Sequence, residues 1–100
     1  MKIEKRIIIP CIVSVEKAVQ IYDERPRLRN GDVMELFGCG LSKARQLRAY
    51  VEKWSRENGI TITGDPTVKT GEAFRAWELD IDDLRQRLNN ILKYRKKVAG

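Results

Sequence analysis

Apolar positions along this chain change period several times, and each change predicts a new element. Residues 3–13 carry Ile3, Ile7, Ile8, Ile9, Ile12 and Val13. Such a β-branched stretch predicts one strand or two short pieces, with Pro10 confining it to an edge or a bend. Ser14 can cap the next segment, in which Val15, Ala18, Val19 and Tyr22 fall on one face of a helix. Pro26 disfavours helical geometry at Arg25, so that helix ends there. Residues 25–31, RPRLRNG, then read as a basic connector.

The next period is again helical and short. Residues 32–37 place Val33, Leu36 and Phe37 inward, and Gly38-Cys39-Gly40 breaks the run. A longer helix starts at about Ser42, with Ala44, Leu47 and Val51 on one face and Trp54 beside them. It stops at Asn58-Gly59, both of which tolerate a left-handed backbone. Residues 60–63 alternate like a strand, 64–71 are turn-rich, and 73–79 alternate once more, which predicts a hairpin with a long loop. Asp80 is a good cap for a last helix in which Ile81, Leu84, Leu88, Ile91 and Leu92 share a face. Residues 93–97 form a basic tail.

Two helices about a tight turn require small residues in the turn and one apolar plug beneath it. Gly38 and Gly40 meet the first need, and Cys39 the second. The order helix, turn, longer helix, hairpin, helix predicts a mainly helical α+β chain: a winged helix-turn-helix with a β-hairpin wing and an N-terminal strand-helix extension. One hundred residues hold a single domain. Within it, residues 1–30 are the extension, 31–59 the helix-turn-helix, 60–79 the wing and 80–97 the C-terminal helix.

If the longer helix enters a major groove, its outer face must be polar or basic. With Ala44 and Leu47 inward, that face presents Ser42, Arg45, Gln46, Ala49 and Lys53, with Lys43 at the flank. Arg suits guanine edges and Gln adenine edges, while Ser and Lys suit phosphates. A solvated basic surface helix would carry similar residues. The Gly-Cys-Gly turn before this helix, and Lys69 and Arg75 in the predicted wing after it, favour the DNA-binding reading. Arg27 and Arg29 can grip phosphate or enter a minor groove. A solvated connector would look the same, and both readings stay open.

Charge agrees with this reading. Twenty Lys and Arg against fourteen Asp and Glu give +6, which attracts phosphate backbones or anionic membranes and is also common in domains that carry it only for solubility. Hydrophobic residues at 42% and charged residues at 34% are those of a globular chain. The apolar run at residues 7–13 is too short to span a bilayer and lacks a signal-peptide pattern, so the expected location is the cytoplasm, with no membrane partner. Cys11 and Cys39 read as two reduced core thiols in that setting. With no histidine, and two cysteines 28 positions apart, no zinc site and no cofactor are expected. The same composition offers no nucleophile–base pair and no phosphate loop, so an enzyme is not expected. Asp80, Asp82 and Asp83 suit a helix start better than a metal, and Trp54 and Trp77 suit a core better than base stacking. Tyr50 suits packing and a phosphate contact about equally.

Residues 33–47, VMELFGCGLSKARQL, resemble the helix-turn-helix opening of excisionase/MerR-like winged-helix proteins. Residues 75–84, RAWELDIDDL, are similar to that group's strand-into-helix ending. The chain departs from the pattern where Gly40 stands in place of a capping Ser or Thr and where Leu41 is apolar. The resemblance implies sequence-specific binding of double-stranded DNA without catalysis, in a mobile element's recombination directionality factor that works beside an integrase or recombinase. A small transcriptional regulator is the alternative in the same class. A protein-interaction adaptor that uses the N-terminal strand is the alternative outside it. An exposed β-branched edge tends to find a partner, which leaves a homo-oligomer open.

Overall fold

The computed structural model describes residues 8–60 and 67–99, and these are mainly helical with one small sheet. Helix α1 is Val15–Glu24. The Ser14 hydroxyl accepts from the Lys17 N–H at 3.0 Å, satisfying one of the donors that a helix start leaves over. Ala18, Val19 and Ile21 are its buried residues. Just past Pro26, Arg27–Leu28 forms strand β1, which pairs antiparallel with strand β2, Val68–Lys69. The register sets Arg27 opposite Lys69 and Leu28 opposite Val68. The Thr70 N–H continues the contact to the Pro26 carbonyl at 3.0 Å, and its hydroxyl donates to the Arg25 carbonyl.

Helix α2, Asn30–Phe37, begins two residues before the sequence-based start. Asp32 accounts for this, since its carboxylate accepts from the Arg29 N–H at 2.8 Å and stabilises the entry. The turn into helix α3, Leu41–Glu57, runs through Gly38, whose φ of 63° is left-handed. The Val13 N–H donates to the Leu36 carbonyl at 2.9 Å, which lays the segment before α1 against the end of α2. Cys39 is half-buried against the core, the position expected of a plug under the turn, whereas Cys11 is exposed and is not the core thiol expected, since it lies in the segment before α1 that forms no ladder. Helix α3 stops at Asn58, and Gly59 comes next at φ 70°.

The fold departs from two expectations. Thr70–Ala76 is a helix, α4, and not the second strand of a hairpin wing. The reason is visible in its burial, because Ala73 with Phe74 and Ala76 with Trp77 are buried as adjacent pairs three residues apart. A strand would bury every second residue, so the helical period prevails. The other half of the wing, residues 61–63, lies outside the described residues, and Ile60 belongs to α3's stop, its N–H bound to the Ser55 carbonyl at 2.8 Å. The part of the N-terminal strand that is described, residues 8–13, forms no ladder. Strand β2 is thus completed by residues 27–28, inside the segment read as a connector.

Helix α5, Ile81–Ala99, starts on the Asp80 cap, whose carboxylate accepts from the N–H groups of Asp82 and Asp83 at 3.0 and 3.3 Å. One core joins all these elements, with Ile21, Leu28, Val33, Leu36, Leu47, Val51 and Phe74 essentially fully buried. Trp77 is part of it. Its indole N–H donates to the Leu47 carbonyl at 3.2 Å, and its ring meets Phe37 edge-on at 5.1 Å, tying α4 to α3 and α2. Trp54 is partly buried against the same core.

Candidate nucleic-acid interface

Helix α3 buries Ala44, Leu47, Val51 and Ser55, which fixes the opposite face outward. Ser42, Arg45, Gln46, Ala49 and Lys53 are all exposed, and Lys43 sits half-buried at the flank. Spacings of three and four along α3 align them as one stripe. Arg56 extends that stripe by another turn and is also exposed. Sequence reasoning missed it, although it lies three positions after Lys53 and the same helical period reaches it. Leu41 opens the helix with 43% of its surface exposed, beside Ser42. Gly40 gives no side-chain cap to this helix, so its first N–H groups lack a hydroxyl or carboxylate partner from the capping position. Tyr50 is half-buried against the core.

A second basic group is assembled by the fold. Arg27 and Lys69 face each other across the β1–β2 ladder, and Arg75 reaches the same place from α4. With Pro26, Gly71 and Glu72 they line an open groove of about 600 Å³. Thr67 helps to orient one of them, accepting from Arg27 Nε at 2.7 Å. The structure therefore joins three of the sequence-predicted cations from three separate elements. Arg29 is exposed but does not line this groove, its backbone being held at the start of α2.

Ion pairing sorts the remaining basic residues. The Arg25 guanidinium contacts Asp32 and Glu35 at 2.7 Å each, and Lys17 Nζ contacts Glu35 at 2.8 Å. Hydrogen bonding from Arg25, then from Lys17, holds the Glu35 carboxyl down to about 2 from its usual 4.5, and Glu35 in turn raises Arg25. This network joins α1, the connector and α2, and it removes Arg25 from any external role. Arg85 is likewise engaged with Asp23 and stands over the Tyr22 ring at 5.8 Å. By contrast, Lys43, Arg45, Lys53, Arg56, Lys69 and Arg75 make no ion pair among the described residues. Cations without internal partners are the ones whose field is open to an outside anion.

The arrangement can hold a polyanion along two features and offers a polar edge, Arg45 with Gln46, suited to base pairs. Among the described residues no group of His, Cys, Asp and Glu is placed to hold a metal ion, and no helix is long and apolar enough to cross a membrane. In comparisons with known proteins, the chain matches no family model, no curated protein and no solved structure.

Proposed function

We propose that this protein binds double-stranded DNA, with the outer face of α3 in the major groove and the Arg27–Lys69–Arg75 group on the phosphate backbone. The observation that carries the reading is the stripe of Ser42, Arg45, Gln46, Lys53 and Arg56 on one face of a helix that comes after a tight glycine turn. None of its three cations has an ion partner among the described residues. Small Ala49 at its middle lets the helix axis come close to base edges. In this reading the ribbon formed by β1 and β2 takes the role expected of the hairpin wing. A place in recombination directionality, working with an integrase, rests on the resemblance of residues 33–47 alone, because residues 75–79 do not form the strand that the resemblance of residues 75–84 implied.

The test is fluorescence anisotropy with random duplex DNA and with the DNA flanking the protein's own gene, over a salt series. Preference for the flanking DNA with a steep salt slope is expected. Arg45→Ala and Gln46→Ala should each cost about 1–3 kcal/mol of specific binding and relax selectivity. Absence of binding to either duplex at low salt overturns the proposal. Charge reversal at Arg45 and Lys53 separates it from the adaptor alternative, because an adaptor would keep its partner through that change.

A further inference from the structure

A groove of about 430 Å³ lies where α1, α4 and α5 meet, away from the outer face of α3. Tyr22, Phe74, Leu79 and Ile81 supply its apolar lining, and Tyr22 and Phe74 meet edge-on at 5.0 Å. Glu78, Asp80 and Asp82 line it as well, and Arg75 marks the end it shares with the basic groove. Asp80 is engaged in capping α5, whereas Glu78 and Asp82 form no ion pair among the described residues. In a chain of +6 this is a local surface of opposite sign.

The far part of α5 has the complementary character. Residues 86–97 contain Arg87, Lys93, Arg95, Lys96 and Lys97 and no acidic residue. Arg87 and Arg95 pair with Asp83 and Glu16, but the three lysines have no ion partner among the described residues. The same turns expose apolar surface, with Ile91 at 37%, Leu92 at 47% and Tyr94 at 69%. Charge and apolar area together call for an acidic cleft with an apolar floor. The groove at the α4–α5 junction is such a cleft.

We infer that the basic, apolar tail of α5 docks into the acidic groove of a second copy of this chain, so that the protein associates head to tail. It cannot reach its own groove. Ile81 and Asp82 line the groove from the first turn of α5, and Leu92 lies ten residues further along the same continuous helix, about 15 Å away at the rise of an α-helix. Because the two surfaces differ, the contact is heterologous and leaves one groove and one tail free at the ends of every open assembly. A groove of this size takes the side chains of about one helical turn, so the contact is of the weak, transient class and is screened by salt. The inference stands apart from the DNA reading, since it uses neither α3 nor the ribbon.

Sedimentation velocity on the full chain tests it without DNA. The expected result is a weight-average mass that rises with concentration and falls back as salt is added. Glu78→Lys in the groove, or Leu92→Glu in the tail, should each weaken association at least about tenfold with unchanged far-UV circular dichroism. The deciding measurement mixes the two variants. Each retains the surface that the other lacks, so an equal mixture should give a 1:1 complex that grows no further. A wild-type chain that stays monomeric up to about 0.5 mM, well into the range of weak contacts, overturns the inference, and so does undiminished association of both variants. Association of the wild type with no 1:1 complex in the mixture also overturns it, because that result belongs to a symmetric interface. If Glu78→Lys loses its helical signal, wild type titrated with excess Leu92→Glu provides the same reading, since each variant accepts one tail and presents none and so caps the assembly at 1:1.

Discussion

Replacing Gly38 by alanine tests how the turn between α2 and α3 is held. Two costs combine there. The backbone sits at φ 63°, where an L side chain is disfavoured by roughly 1–2 kcal/mol. A Cβ would also stand 3.1 Å from Val13 Cγ2, so the segment before α1 would have to give by a few tenths of an ångström. Gly59 is an internal control, since it has φ 70° and, among the described residues, no heavy atom within 4 Å of the position of a Cβ. Gly59→Ala should therefore lose only the conformational part, about 1–2 kcal/mol. Gly38→Ala should lose at least ~1 kcal/mol more, the low end of overpacking costs. Urea denaturation monitored by far-UV circular dichroism resolves this difference, and thermal melts should show a gap of about 4–8 °C per kcal/mol. In a Val13→Ala background the extra cost of Gly38→Ala should vanish, since the atom it meets is gone. Equal costs at Gly38 and Gly59, or an excess that persists without the valine, would refute the packing of Val13 on the turn.

Three other perturbations have defined signs. Glu35 is held at about 2 in the folded chain against its usual 4.5. Its contribution to stability is present above that ordinary value and is lost as the pH falls toward about 2. Urea midpoints measured from neutral pH down to that point should show the fall shrink in Glu35→Gln, and an unchanged profile would mean that the Arg25–Glu35–Lys17 network does not stabilise the fold. Trp77→Phe removes the indole donor to the Leu47 carbonyl and shrinks a nearly fully buried ring. It should cost about 1–3 kcal/mol in the same denaturation assay, whereas a neutral result would show that the indole does not tie α4 to α3. If DNA lies against the ribbon, Lys69→Ala and Arg75→Ala should weaken binding to all sequences alike and reduce the salt slope by about one unit each. A slope that does not move would take the groove of Arg27, Lys69 and Arg75 off the phosphate path.

Local signals are legible in the sequence where one residue type decides one conformation. Ser14 and Asp80 cap α1 and α5, Asn58-Gly59 stops α3, and Gly38 turns the chain through a left-handed backbone. The inward faces of α2 and α3 emerge from spacing, and the outward stripe of α3 is what those faces leave over. Spacing misleads at residues 73–79. There an apolar residue at roughly every second place satisfies a strand template, while the buried pairs Ala73–Phe74 and Ala76–Trp77 carry the helical period. Short segments admit both templates, and burial decides between them.

The amino-acid sequence by itself determined most of the helices, their caps, the turn after α2 and the polar face of α3, because each depends on contacts within a few residues. Only the tertiary structure decided which cations lie together. Arg27, Lys69 and Arg75 become neighbours through a ladder that joins residues 27–28 to residues 68–69, and Arg25 is withdrawn by carboxylates on α2. Pairing of that kind depends on where the buried core brings distant backbone together. Neither the charge nor the spacing of a single segment contains that information.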